Sequence, residues 1–245
     1  MDAVTVHDLH FAYPENTEVL DGVDFTIKEG ETVVLAGLSG SGKTTLTNII
    51  CGVIPQLIRG TISGQVQLFG EDVIGKTPAE LTGKVALVFQ DSDEQLICTT
   101  VEDELAFGPE NLCIAPAEIT TMIDTALQRY HLSEFRHRDP AHLSGGQKKM
   151  VALASVSMLN PQLIIFDEPL SGLDEDGRTL VAELLMELKA AGQTVIIVEH
   201  DLTAVTAGIA DRWLVLADGH IAAFDEPRQL LTSKLLYDLE LMFDD

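Results

Sequence analysis

Thr32-Val33-Val34-Leu35-Ala36-Gly37-Leu38-Ser39-Gly40-Ser41-Gly42-Lys43-Thr44-Thr45 runs from a short apolar segment, through glycines, into helix-forming sequence. Thr32 to Ala36 is β-branched and apolar and reads as a buried strand; Lys43 to Cys51 reads as the helix that follows. Between them, Gly37 to Thr44 fits G-x-x-x-x-G-K-[ST]. In that pattern backbone N–H groups converge on a polyphosphate, Lys43 neutralises its outer oxygens, and the Thr44 hydroxyl faces Mg²⁺. The phosphates meet a helix N-terminus.

Working outward, Val4 to Tyr13 and Val19 to Ile27 alternate enough to predict an antiparallel strand pair, and Gly64 to Phe69 and Lys84 to Phe89 add strand content. From about Val101 to Phe135 the pattern is helical. Leu163 to Phe166 and Thr194 to Val198 are short apolar runs joined to helical stretches, Lys148 to Leu159 and Gly177 to Ala191. That alternation predicts an α/β fold with a parallel sheet.

Two carboxylates, Asp167 and Glu168, end the run Leu163-Ile164-Ile165-Phe166. They fall at the C-terminal edge of a strand, where open α/β sheets place their ligands. Asp167 suits Mg²⁺, directly or through water, because a hard cation takes oxygen ligands and shares them with phosphates. Glu168 is then free to polarise a water. Further on, Leu143-Ser144-Gly145-Gly146-Gln147 precedes a helix that Ser144 can cap, and its glycines allow close approach to an anion. A bare Ser-Gly-Gly is usually only a helix cap; the full five-residue string points further.

Composition bounds the rest. The chain has 245 residues, 46 % of them apolar, enough for one large α/β domain or a domain with a subdomain. Its three cysteines, Cys51, Cys98 and Cys113, lack metal or redox spacing, which reads as a reducing cytoplasm. No apolar stretch approaches membrane-spanning length and the N-terminus lacks the order of a signal peptide, so the protein is expected to be soluble or peripheral to a membrane. A net charge of −24 argues against nonspecific binding to nucleic acid or anionic lipid, both of which need clustered Lys and Arg. Any membrane role runs through protein. The same acidity also suits a salty cytoplasm.

Taken in order, the phosphate loop, Gln90, Leu143 to Gln147, Leu163 to Glu168, Ser171-Gly172-Leu173-Asp174 and His200 resemble an ATP-binding-cassette (ABC) ATPase over nearly the whole chain. The resemblance implies a P-loop NTPase: a RecA-like parallel core, an N-terminal antiparallel β subdomain and a helical signature subdomain over about residues 91–160. It implies ATP and Mg²⁺ as cofactors. It also implies a head-to-tail dimer, with itself or a sister ATPase, in which ATP lies between one subunit's Gly37–Thr45 and the other's Ser144, Gly145, Gly146 and Gln147. By the same resemblance, Tyr13 stacks on adenine, Gln90 touches Mg²⁺ and the attacking water, Asp174 passes state between sites, and His200 holds the γ-phosphate and orients Glu168. Tyr13 also admits reading as a core or edge-strand tyrosine. The other histidines, His7, His10, His131, His137, His142 and His220, show no ligand spacing, and no metal is assigned to them.

Phe89-Gln90-Asp91-Ser92-Asp93-Glu94-Gln95-Leu96-Ile97 and Thr99 to Asn111 resemble the energy-coupling-factor (ECF) branch, whose ATPases drive uptake of vitamins, nickel or cobalt. Lys148-Lys149 and Gly52-Val53-Ile54-Pro55 fit it too. That branch implies a transmembrane T subunit and a substrate-binding S component as partners, with this chain on the cytoplasmic face of the membrane. Between Val85 and Gln128 stand nine acidic residues and no Lys or Arg. Asp91, Asp93 and Glu94 are expected to receive an arginine of the T subunit, bidentately; a solvated acidic face is the alternative. The branch often carries Asn-Pro after its glutamine, where this chain has Asp91-Ser92. Leu235, Leu236, Leu239 and Met242 in the tail from Asp225 are spaced to pack on their own domain or to extend a subunit contact, the first being favoured. An ATPase of another ABC transporter, or of DNA repair or translation, completes the alternatives.

Overall fold

The computed structural model describes residues 1–14, 18–200, 202, 208–239 and 241. Two sheets share the work. β1 (Asp2–Ala12) and β2 (Glu18–Lys28) pair antiparallel, and β4 (Thr61–Leu68) with β5 (Glu71–Asp72) extends them into a four-stranded sheet ordered β2-β1-β4-β5. The second sheet runs β10-β9-β3-β8-β7-β6. It comprises β3 (Thr32–Ala36), β6 (Val85–Val88), β7 (Leu163–Asp167), β8 (Thr194–Glu199), β9 (Arg212–Ala217) and β10 (His220–Asp225). All neighbours in it are parallel except the β9–β10 hairpin.

The parallel strands are buried on both faces, which is why they read as continuous apolar runs. Period-two alternation divides their side chains between two cores. Val34, Ile164, Phe166, Val195, Ile197 and Trp213 face the helical layer. That layer holds α2 (Val101–Asn111), α3 (Pro116–Arg129), α4 (Gly145–Ser157) and α5 (Glu175–Ala190). Val33, Leu35, Leu163, Ile165, Ile196, Val198 and Leu214 face α1 (Lys43–Ile50) and the antiparallel sheet.

The strand pair expected near the N-terminus is present, and so is the strand expected within Lys84 to Phe89: it is β6, which joins the parallel sheet beside β7. The sequence reading passed over the β9–β10 hairpin. Its signal was the Asp218-Gly219 pair between two apolar runs, both residues at positive φ (48° and 79°), as a tight twisted hairpin turn requires. The tail turns back on its own fold: Leu236 and Leu241 are buried in the helical-side core and Leu239 packs against it, while Met242 lies outside the described residues.

One irregularity shapes the antiparallel sheet. β1 shifts register against β4 between His7 and His10, where Asp8 stands at φ 46° opposite Gly64 at φ 94°. A Cβ on Gly64 would lie 2.1 Å from the Asp8 carbonyl oxygen. Gly64→Ala should therefore cost about 3 kcal/mol through backbone strain and clash, read as a lower urea midpoint at unchanged slope. A midpoint equal to the parent's would show that the bulge tolerates a side chain.

Candidate functional site

The parallel register brings four loops to one edge. Ala36 pairs with Glu199, Asp167 with Val198 and Val88 with Phe166, so the chain leaves β3, β8, β7 and β6 at one level. Gly37–Gly42, Glu168, His200 and Gln90 follow those strand ends directly.

Gly37 and Gly42 are fixed by contact as well as conformation. A Cβ on Gly37 would meet the Leu216 carbonyl oxygen at 2.2 Å, and one on Gly42 (φ 106°) the Leu20 side chain at 2.8 Å. Gly42 is the residue from which α1 starts. Inside the loop the buried Lys43 donates to the carbonyls of Gly37 (2.5 Å) and Leu38 (3.1 Å). Burial pushes its ammonium pKa down, and the carboxylates of Glu168 and Asp167 oppose that shift. Ser41 Oγ is buried without a hydrogen-bond partner, while the Thr44 residue is exposed. An unpaired buried hydroxyl is costly, and a loop with such a group, a helix N-terminus and a buried cation fits a polyphosphate. Tyr13 reaches the same helix: its hydroxyl lies 3.0 Å from Thr45 Oγ1, and its ring stands edge-on to Phe11 at 4.9 Å.

Glu168 is held from three directions. Its backbone sits at φ 43° and its N–H donates to the Val198 carbonyl at 3.0 Å. One carboxylate oxygen pairs with His200 Nε2 and the other accepts from Gln90 Nε2 at 2.6 Å. His200 Nδ1 lies 3.4 Å from Lys43 Nζ. A ring protonated at Nε2 alone serves both contacts, accepting from Lys43 and donating to Glu168. Lys43, His200, Glu168 and Gln90 thus form one connected chain. A non-glycine residue at positive φ stores strain and survives only where its surroundings dictate it.

Beside them, Asp167 is half-buried, and its carboxyl pKa is raised by burial first and by Glu168 second. Lys149 is a residue whose role the sequence reading missed. It is 5 % exposed and donates to the carbonyls of Phe89 (2.6 Å) and Gln90 (2.5 Å), locking the glutamine segment onto α4. Its only sequence signal was a lysine one turn into a helix whose neighbours Met150 and Val151 are core residues.

The remaining candidates belong to the helical layer and to the segment after Gln90. Ser144 caps α4 in a reciprocal box, Gln147 N–H to Ser144 Oγ at 3.3 Å and Ser144 N–H to Gln147 Oε1 at 2.9 Å. Gly146 packs against Gly177, where a Cβ would stand 3.0 Å from that Cα. Ser144 and Gly145 are exposed, and among the described residues no hydrogen bond joins Ser144–Gln147 to Gly37–Thr45. Asp174 caps α5 through Gly177 N–H at 2.8 Å. Of the expected docking acids, Asp93 is already paired with Lys148 at 2.6 Å and Asp91 caps the turn Ser92–Glu94, while Glu94 is exposed. Asp91 and Asp93 border a groove of about 480 Å³ shared with Gln90, Lys149 and Leu173. Of the histidines to which no metal was assigned, His10 gathers Glu18 and Asp21 in space. Those partners come from paired strands, so spacing along one segment could not show them.

The raised pKa of Asp167 has a signed consequence. The folded state holds this proton more tightly than the unfolded chain, so ionised Asp167 costs stability above its folded pKa, and the cost fades as pH falls below the ordinary carboxylate range. Asp167→Asn should raise Tm of the nucleotide-free protein at neutral pH, by about 2–4 °C for each kcal/mol relieved, with the gain shrinking toward about pH 4. A calorimetric scan showing a lower Tm at neutral pH would contradict this.

Comparison with known proteins agrees with the geometry. The ABC transporter family model matches residues 20–171. The energy-coupling factor transporter ATP-binding protein EcfA of Methanocaldococcus jannaschii is 38 % identical over 234 residues, covering 95 % of this chain and 82 % of that protein. A putative ABC transporter ATP-binding protein of Methanosarcina mazei is 38 % identical over 240 residues, of which this chain spans 40 % of the length. Among solved structures, cbiO1 of Clostridium perfringens superposes with TM-score 0.85 at 30 % identity, covering 97 % of this chain and 94 % of that one. The ADP conformation of the ATP-binding cassette MJ1267 gives TM-score 0.82 at 28 % identity, over 98 % and 97 % of the two chains. No described helix is long and apolar enough to cross a membrane. With its phosphate loop, paired carboxylates and histidine on one sheet edge, the chain belongs to the ABC transporter family, as an ATP-binding-cassette ATPase.

Proposed function

We propose that this chain is the ATP-hydrolysing subunit of an ECF-type importer, energising uptake of a vitamin or transition-metal ion through a T subunit and an S component. The observation that carries hydrolysis is the double grip on Glu168 by His200 and Gln90. The transport branch is supported by the relative named EcfA and by cbiO1, described as part of the ABC transporter complex cbiONQ.

In this reading, ATP stacks its adenine on Tyr13 and seats its phosphates on Gly37 to Thr45. Lys43 exchanges its two loop carbonyls for phosphate oxygens, which are better partners for a buried ammonium. Thr44, Asp167 and Gln90 would hold Mg²⁺, which supplies charge neutralisation between the outer phosphates. Glu168 polarises a water for in-line attack, and His200 turns from Lys43 toward the γ-phosphoryl group while keeping Glu168 aligned. Ser144, Gly145, Gly146 and Gln147 contribute to the site of a second ATPase, as the exposure of Ser144 and Gly145 at the start of α4 suits. Asp174, capping α5 between the two sites, passes state across that contact. ATP closes the pair and hydrolysis opens it, moving whatever the acidic segment holds.

Glu168→Gln should keep ATP binding and lower steady-state turnover by ~10²–10⁴-fold, the range of a lost general base. Turnover near the parent's would remove Glu168 from that role. Lys43→Ala should instead weaken ATP binding by ~10–100-fold, as loss of a charged hydrogen-bonding partner does, measured by nucleotide titration. For docking, Asp91, Asp93 and Glu94 are the acids offered to the T subunit, with Lys148 to be displaced from Asp93. Reversing Asp93 and Glu94 to lysine should abolish co-purification with the membrane partner in detergent; undiminished recovery would sink this part of the reading.

A further inference from the structure

We propose that His10, Glu18 and Asp21 form a surface site for a transition-metal dication of the zinc class, with Asp8 and His220 as its outer partners. The site lies on the antiparallel sheet, away from the carboxylates that handle ATP. His10 Nδ1 is 3.1 Å from Asp21 Oδ1 and 3.6 Å from Glu18 Oε1, and one donor atom from each of the three residues lies within 4.8 Å of the other two. Ligands on a tetrahedral zinc ion, each about 2.0–2.2 Å from the metal, stand about 3.3–3.6 Å apart. The two separations from His10 Nδ1 are close to that spacing.

The surroundings of these three residues point the same way. His10 Nε2 lies 3.1 Å from Asp8 Oδ1, a partner able to keep the Nε2 proton while Nδ1, which faces Glu18 and Asp21, is given to a metal. A carboxylate behind a histidine fixes ring and tautomer for a metal on the other nitrogen. His220 Nε2 stands 3.5 Å from Asp21 Oδ2, the oxygen turned away from His10, and leaves Oδ1 for the ion. The β1 bulge opposite Gly64 starts at Asp8, and bulges re-aim side chains in this way. One imidazole with two carboxylates favours zinc-class ions over Mg²⁺, which prefers oxygen alone.

Its position gives the site a consequence. Asp21 N–H donates to the Gly219 carbonyl at 3.0 Å. The Val19 carbonyl backs both Gly219 and Gly42, where added Cβ atoms would stand 2.8 and 3.0 Å from it. An ion on His10 and Asp21 thus ties β1 to β2, one strand segment behind the start of α1.

The competing occupant is a proton: an imidazolium at His10 would satisfy Asp8 and Asp21 without a metal. Calorimetric titration of the chelator-stripped full chain with Zn²⁺, in excess Mg²⁺ and without nucleotide, separates the two. The expected result is one site per chain with a Kd well below about 100 µM, weakened at least ~10-fold in His10→Ala and in Asp21→Ala. Co²⁺ as a spectroscopic substitute should give tetrahedral visible absorption in the parent and none in His10→Ala. His10→Ala should keep parental ATP turnover in zinc-free buffer, which certifies its fold. Absence of Zn²⁺ binding, or equal binding and the same Co²⁺ spectrum in parent and His10→Ala, would overturn the proposal in favour of the proton or of another site.

Discussion

Parallel pairing of β3, β8, β7 and β6 is the constraint on which the molecule depends. Because adjacent strands are locked residue to residue, four chain segments with no sequence proximity emerge at one level of one edge. A slip of two residues in β7 would carry Asp167 and Glu168 past Gly37 and His200 by about 7 Å, more than any hydrogen bond spans. The buried faces prevent that slip. Val34, Phe166 and Ile197 on one side and Leu35, Ile165 and Val198 on the other each fill a different core, so register and chemistry are fixed by the same apolar side chains.

On that edge, charges are arranged in a chain rather than in isolated pairs. Lys43, His200, Glu168 and Gln90 each satisfy the next, and Lys149 holds the backbone of the last from beneath. Two buried ammonium groups with lowered pKa values and one carboxyl with a raised one show a region short of compensating partners. Such a region is costly for folding and suited to an incoming polyanion, which supplies opposite charge to Lys43 as it arrives. The glutamine segment connects this chemistry to the surface: Gln90 contacts Glu168 inward, while Asp91, Asp93 and Glu94 continue outward to α4 through Lys148.

Much of this was legible without coordinates, and for identifiable reasons. The phosphate loop is a local pattern, since its glycines, lysine and threonine stand within eight consecutive residues, whereas the close approaches at Gly37 and Gly42 are to Leu216 and Leu20, far off in the chain. Ser144 as a cap, and the carboxylates at the end of β7, follow from local rules in the same way. The hairpin at Asp218-Gly219 was equally local and simply went unread. Lys149 and β6 were different. Nothing in a lysine three residues after a glycine pair tells that its ammonium crosses to the carbonyls of Phe89 and Gln90, some sixty residues earlier in the chain. Nor does the run at Val85 say which of two sheets will accept it.

The sequence by itself therefore determined the elements whose physics is short-ranged: the strand, loop and helix of the phosphate site, the acidic strand end, the capped signature helix, and the apolar alternation that demands a buried sheet. Only the tertiary structure decided which distant groups meet. It joined His200 to both Lys43 and Glu168, placed Lys149 under Gln90, and gathered His10, Glu18, Asp21 and His220 from three strands. The physical reason is that strand pairing and core packing set these encounters through register and buried surface, quantities shared between segments and carried by no single stretch of residues.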